Sequence, residues 1–396
     1  MTTSLAFAEP ADATAIKANA RRIAEHIRDR DLSSEFDRLR KLPEDIVAHL
    51  RAAGIFRMNM PRIWGGPELS AMDQVEVVET LSWGDASVGW CAFIWCDSGI
   101  YSGYLDDAVA RSLYPQLDLA QSGWVYPGGG AEPVDGGYLL SGHWIFGSGS
   151  NHCDRLAAGF VVTRHGEPVL NEAGRPQWKV ALAKPEQFEI LDTWYTMGLK
   201  GTGSTDYTTE NLFVPTEHTF DLGGKAKRHG AIWARPDHFL RKMSGVPLGV
   251  ARDALDRARD MLTGKRDRRS GMAYRDSPIV QQTIALAEGK LGAARAYVFE
   301  SLRSQWHKLE AGEPLSDAER AAVVISRQQA FQAGREVTQM IFDLIGGDAV
   351  YARNPFERQL RDMNTACQHI VAQMKSLQAP GGLLLGSETA SGDPML

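Results

Sequence analysis

Three glycine- and tryptophan-rich segments hold the residues whose types and spacing could do chemistry: SGWVYPGGG (122–130), GHWIFGSGSNHCD (142–154) and TWYTMGLKGTGSTD (193–206). Glycine lets a backbone come close to a flat ligand, and aromatic faces can sandwich a planar ring, so the three together could build a slot for a planar cofactor. The same residues also suit hairpins, bulges and the core of a sheet. Residue types alone leave both readings open. Other chemistry is missing: there is no G-x-x-x-x-G-K-[ST] phosphate loop, no H-E-x-x-H, no G-x-S-x-G elbow and no G-x-G-x-x-G joining a strand to a helix. Without a dinucleotide-binding βαβ unit, the chain lacks the usual means of taking hydride from a nicotinamide.

The elements that must position these segments belong to a chain of 396 residues, 43% apolar and 23% charged, enough to bury a large core in two or three packed units. Lys and Arg number 43 against 49 Asp and Glu, a net charge of −6. No basic run is flanked by aromatics, so nucleic acid is not an expected partner. Four cysteines (Cys91, Cys96, Cys153, Cys367), none spaced C-x-x-C, make neither a disulfide scaffold nor a zinc ribbon, and no metal site is expected. The start has no basic stretch followed by an apolar one, and the longest low-polarity run, Val88 to Cys96, falls far short of the ~20 residues that span a bilayer. A cytoplasmic protein without membrane association is expected. The 10 Trp and 39 Gly are a compositional excess, with the tryptophans bunched in the first two-thirds.

Texture divides the chain into residues 1–118 (helical), 119–222 (sheet), 223–243 (a polar loop or lid), 244–380 (helical) and a Gly/Ser-rich tail, 381–396, in which Leu383–Leu385 could dock. In the first zone Ile16, Ala20, Ile23 and Ile27 mark one helix face, Pro43 opens a helix, Ser70 caps another, and Asp85 to Tyr104 is apolar on most sides, hence buried. The second zone alternates in short runs broken by Gly-Gly, Pro and Asn, the pattern of antiparallel hairpins. In the fourth, Val280, Ile284, Ala287, Leu291, Ala294, Val298 and Leu302 form a helix-packing seam. A capping box, Ser316 with Glu319, starts the next helix, and another is expected from Pro355 to about Gln378, ended by Pro380. With Gly245–Thr263 these make an antiparallel four-helix bundle.

Helices, then a sheet, then a four-helix bundle is the order of the acyl-CoA dehydrogenase superfamily. GHWIFGSG, GLKGTGSTDYTTENLFVP, SGVPLGVARDAL and FDLIGGDAVYARNPFERQLRDM resemble its segments, in the right order over nearly the whole chain. The resemblance implies an α+β fold of that type: an N-terminal helical domain, a central antiparallel β domain and a C-terminal four-helix bundle. It would place the dehydrogenases' carboxylate base at Ile370, beside His369, or at Phe239, beside His238, and neither is an acid. Asp237 is the nearest acid that could substitute.

The chain is more similar to the two-component flavin monooxygenases that share this fold, through G-G-Y-x-x-S-G-x-W-x-F-x-S-G (Gly136 to Gly149), GTGS (201–204), and the pair Arg361-Asp362 followed by His369. That branch implies reduced flavin supplied by a separate NAD(P)H:flavin reductase, O2 as co-substrate, a flavin C4a-hydroperoxide, and oxygenation of a small aromatic or polyketide-like molecule. It implies catalytic roles for Ser148, beside the flavin N5, and for His369 and His238, because imidazole can donate or accept a proton near neutral pH. Trp124, Tyr126, Phe146, Ser148, Gly346 and Gly347 would hold the cofactor, and Trp95, Ser98, Tyr101 and Phe239 would line the substrate pocket. Ser98 stands where phenol hydroxylases of the branch carry a His, which argues against a simple phenol. Met272 and Arg275 replace an Arg and a Phe that hold FAD, and Asp343 replaces a Gln, which points to FMNH2, with FADH2 open. A homotetramer is the family habit. An acyl-thioester dehydrogenase or oxidase and a non-catalytic fold member are the alternatives.

Overall fold

The structure is a computed structural model that describes residues 5–171 and 174–391. The chain opens with α1 (Ala13–Asp29), α2 (Ser33–Leu39), α3 (Glu44–Ala52), α4 (Ala71–Gly84), α5 (Ala86–Trp95), α6 (Ser98–Ser102) and α7 (Asp107–Leu113). Ile16, Ala20, Ile23 and Ile27 form the buried face of α1, and Asp12 caps it by accepting the Ala15 N–H. Ser70 does the same for α4 through Asp73 N–H. Helix α5 is buried along almost its whole length, capped by Asp85, which accepts the Ser87 and Val88 N–H groups. An all-round apolar helix can only sit in the interior, and this one carries Trp90 and Trp95 against the sheet.

The sheet comprises β1 (Gln121–Val134), β2 (Gly137–Gly147), β3 (Arg155–Arg164), β4 (Glu167–Pro168), β5 (Trp178–Ala183), β6 (Glu189–Leu191), β7 (Thr205–Pro215) and β8 (Thr219–Phe220). Its order is β6-β7-β2-β1-β3-β5-β8, with β4 paired to β3. The ladders are antiparallel as expected except one: β1 and β3 run parallel, so the sheet is mixed. After β2 the chain turns through Ser150–His152 and re-enters on the other side of β1. The β1–β3 ladder is irregular around Pro127, which has no N–H to donate. Gly123 makes the close approach of these strands possible: its φ is +114°, and a Cβ there would run into the Ala157 backbone.

The bundle follows as α8 (His238–Arg241), α9 (Gly245–Gly264), α10 (Pro278–Ala311), α11 (Asp317–Ile345), α12 (Phe356–Ala366), α13 (Gln378–Leu384) and α14 (Glu388–Ser391). The seam of α10 is buried at Val280, Ala287, Leu291, Ala294, Val298 and Leu302, with Ile284 partly so, packed into the core it shares with α9 and α11. Ser316 and Glu319 form the reciprocal capping box of α11.

Three helical elements differ from the sequence expectation. The buried helix expected over Asp85–Tyr104 is two, α5 and α6, broken at Cys96 and Asp97. The helix expected from Pro355 to about Gln378 stops at Cys367, and His369 takes an extended conformation (φ −61°, ψ 140°) that opens a short 3-10 turn. Its Nδ1 accepts the Val371 N–H at 3.4 Å, while Val371 and Ala372 enter the core. A local side-chain bond and two buried apolar residues thus outweigh helix continuation. Pro380 lies in the first turn of α13, where no intrahelical N–H is needed, so it helps begin a helix rather than ending one. Leu383 docks against Ala321 and Val324, while Leu385 is exposed. Residues 223–243 are not uniformly exposed: Asp237, His238, Arg241 and Lys242 are among the most buried polar side chains described.

Candidate active site

A cavity opens where α5, α6, β1, α8 and the His369 turn meet, lined by Phe93, Asp97, Tyr101, Ser122, Trp124, Tyr126, Phe239 and His369 among others. Of the residues picked out from sequence, Trp124, Tyr126, Tyr101, Phe239 and His369 share this wall. Ser148 stands just behind it: Ser122 Oγ donates to its carbonyl at 2.6 Å, and Trp90 Nε1 donates to its Oγ at 3.1 Å. The Trp90 ring lies edge-on to His369, with centroids 5.7 Å apart. Phe146 sits at the rim, about half exposed, its ring 5.7 Å from that of Trp124 and 6.1 Å from that of Trp194. Its φ of +58° is a left-handed conformation that costs a non-glycine residue roughly 1–2 kcal/mol, strain that holds the ring outward.

Other residues fall elsewhere. Trp95 is wholly buried, its Nε1 bonded to the Gly149 carbonyl and its ring against Phe56. Ser98 is buried, with no hydrogen-bond partner for its hydroxyl, and does not line the cavity. His238 is buried behind Phe239, its ring 5.6 Å from that of Trp306. Gly346, at φ +65°, and Gly347 are exposed at the end of α11, away from the cavity wall. Gly149 must be glycine: its φ is +71°, and a Cβ would strike the Trp95 indole.

The hydroxyl of Ser148 belongs to a directed chain. Thr202 Oγ1 donates to the Leu199 carbonyl (2.7 Å), so it accepts from Ser204 Oγ (2.6 Å), which in turn accepts from Ser148 Oγ (2.7 Å). A hydroxyl has one proton and two lone pairs. With the proton given to Ser204 and one pair taken by Trp90, Ser148 retains a single acceptor position. His369 has the opposite character. Burial, and secondarily the charge of Arg327, hold its imidazole down to about 4, so the ring is neutral at physiological pH. Because Nδ1 accepts from Val371, the proton resides on Nε2, which is a donor.

One carboxylate, Asp97, lies on the described cavity wall, and it is not free. Lys242 Nζ, itself fully buried, bonds it at 2.6 Å and also donates to the Phe239 carbonyl at 3.2 Å. Burial pushes Asp97 up to about 6, with the Lys242 charge pulling it back. Ile370 lines the cavity, whereas Asp237 is bound to Arg241 and does not. The wall therefore offers no unpaired carboxylate to remove a proton from carbon. Sequence reading missed the Asp97–Lys242 pair, whose members are 145 positions apart and carry no spacing signal.

The residues present fit a flavin. Tyr126 and Phe146 are 42% and 49% exposed beside Trp124, and Ser148 has one lone pair to give an N–H.

The acyl-CoA dehydrogenase N-terminal domain matches residues 10–108, and the acyl-CoA dehydrogenase C-terminal domain matches residues 242–374. The chain is 30% identical to the indole-3-acetate monooxygenase of Pseudomonas putida, over 97% of this chain and 98% of that protein. The crystal structure of the HsaA monooxygenase of Mycobacterium tuberculosis, the oxygenase subunit of a flavin-dependent monooxygenase, superposes with a TM-score of 0.88 at 24% identity, covering 97% and 100% of the two chains. XiaF of a Streptomyces species, crystallised with FADH2, superposes with a TM-score of 0.84 at 19% identity, covering 97% of each. By its sequence, the chain belongs to the flavin-dependent monooxygenases built on the acyl-CoA dehydrogenase fold.

Proposed function

We propose that this monooxygenase oxygenates a small aromatic molecule of about indole size, with reduced flavin delivered by a separate NAD(P)H-dependent reductase. The observation that supports this best is the make-up of the cavity: ring faces from Phe93, Trp124, Tyr126 and Phe239, a neutral imidazole, and a single carboxylate already held by Lys242. The indole-3-acetate substrate in the names of two relatives favours the same class.

Reduced flavin, when bound, supplies the activation of O2 and the oxygen atom that is transferred. The chain's own residues do the rest. Trp124, Tyr126 and Phe146 give the ring its shelf, and Ser148 accepts an N–H through its remaining lone pair. His369 donates from Nε2 to a substrate oxygen, orienting it, and Tyr101 and Phe239 set the shape of the substrate space. His238 does not reach the cavity. Gly346 and Gly347 offer exposed backbone to a phosphate, and FMNH2 is preferred on the residues at 272 and 275. Exposed Ile279, Leu286 and Tyr297 on α10 support packing of subunits into a homotetramer. No described helix is long and apolar enough to cross a membrane, in keeping with a cytoplasmic site of action.

The test is a reconstituted assay on indole-ring and phenol-ring compounds. Product formation that needs both reductase and O2 is expected; bleaching of bound oxidised flavin by an acyl-CoA, with no reductase present, would overturn the reading. The pH profile adds a second check. A folded-state imidazole held down to about 4 stays neutral through pH 5–8; protonation as pH falls through that value leaves Nε2 a donor but costs Nδ1 its bond from Val371. The ratio of wild-type to His369→Asn rates is therefore expected to be flat from pH 8 to 5. A step in that ratio near 6.5 would contradict it.

A further inference from the structure

Behind the Phe239 wall lies a cluster of buried cations with unsatisfied hydrogen-bond donors. Arg241 spends Nε and Nη2 on Asp237 (3.2 and 3.0 Å), and its Nη1 has no partner. Arg327, on α11 and only 3% exposed, has no partner for Nε or Nη1, and neither ring nitrogen of His238 has one. Two guanidinium groups thus face the single carboxylate of Asp237, and the half-buried Arg235 adds to the imbalance rather than relieving it. The neighbouring Lys242 is already matched by Asp97. Burial draws Arg327 down to about 10, with Asp237 pulling it back and Arg241 adding to the fall.

Leaving a buried charge uncompensated is strongly destabilising, and each unbonded buried N–H adds to the cost. Such an arrangement is stable when an anion completes it. The geometry favours a planar anion with two acceptors, because guanidinium donors form a fork that matches a carboxylate. The cluster adjoins the cavity: Phe239 lies between His238 and Arg241 in the chain, and Arg327 is close enough to influence His369, which lines that cavity.

We infer that Arg327, with Arg241, forms a carboxylate-binding site just behind the Phe239 wall of the cavity, which takes the acid group of an aromatic acid substrate. The assignment of that carboxylate to the substrate rests on the aromatic-substrate reading above; the existence of the site does not.

Two measurements separate these statements. In the first, acetate and chloride are added to the flavin-free protein and to Arg327→Met, with thermal unfolding as the readout. Removing an unpaired buried cation should not prevent folding, whereas Arg241→Met would strand Asp237 and is avoided. Acetate is expected to raise the wild-type midpoint and to leave that of Arg327→Met unmoved, with Arg327→Lys in between. Stabilisation by chloride alone, or an equal response to acetate in both proteins, would overturn the site. In the second, binding of indole-3-acetate is compared with that of indole. The acid is expected to bind wild type at least tenfold more tightly than the bare ring, and Arg327→Met to bring the two within about twofold. Equal binding of acid and ring by wild type, or a preference that survives in Arg327→Met, would overturn the substrate assignment. If acetate stabilises as expected but neither ring compound binds, the carboxylate site stands and the aromatic-substrate reading falls.

Discussion

Replacing Lys242 with methionine is expected to lower the free energy of unfolding by about 3–5 kcal/mol, the cost of stranding a buried partner charge. Lys242 and Asp97 are both almost wholly buried and bonded at 2.6 Å, so removing the ammonium leaves the carboxylate with only a 3.5 Å contact from Tyr101 Oη. It also frees the Phe239 carbonyl, to which Lys242 donates. A domain stable by about 5–15 kcal/mol loses a large part of its margin in one step. Most of that cost should be recovered in the double variant Asp97→Asn/Lys242→Met, in which no charge is left alone. Urea unfolding of the two variants checks this. A single-variant loss below about 1 kcal/mol would mean the pair is solvated and does not pin α6 to α8.

Ser148→Ala is expected to raise H2O2 release per NADH consumed by about tenfold, with product falling in proportion, while reduced-flavin binding stays within a few-fold. The reason is stoichiometric. Ser148 has one free lone pair, and its other two positions are fixed by Trp90 and Ser204, so it can accept one N–H and nothing more. Losing one hydrogen bond in a water-poor site is worth about 1.4 kcal/mol, a factor of ten in a competing rate. Ser204→Ala, which breaks the chain one step further out, should uncouple less. Peroxide yield measured against product yield gives the comparison. Unchanged peroxide in Ser148→Ala would remove the role given to this hydroxyl.

How far the sequence reveals this site depends on the kind of contact involved. The α1 stripe, the Ser316–Glu319 capping box and the α10 seam are local patterns, and each is found where its spacing places it. The GTGS segment is legible too, since Thr202 and Ser204 are the hydroxyls that continue from Ser148. The turn at His369 was not legible, because nothing between Cys367 and Gln378 breaks a helix by propensity; an imidazole nitrogen and two residues drawn into the core do so. Trp95 shows a related limit. An aromatic residue on a helix buried on all sides can face slot or core, and here it bonds Gly149 from the core side. The parallel β1–β3 ladder follows from a chain crossing rather than from strand composition. The cations in 237–242 look like a solvated turn in sequence, although the i,i+4 spacing of Asp237 and Arg241 already permitted a buried pair.

This chain is expected to insert one atom of O2 into an aromatic ring system using flavin reduced elsewhere. Mass spectrometry of the product formed under 18O2, with reductase, NAD(P)H and an indole-type acid, tests it most directly. One 18O per product molecule is expected, and no product when reductase or O2 is withheld. Product oxygen drawn from water, or a product formed anaerobically with bound oxidised flavin, would contradict it.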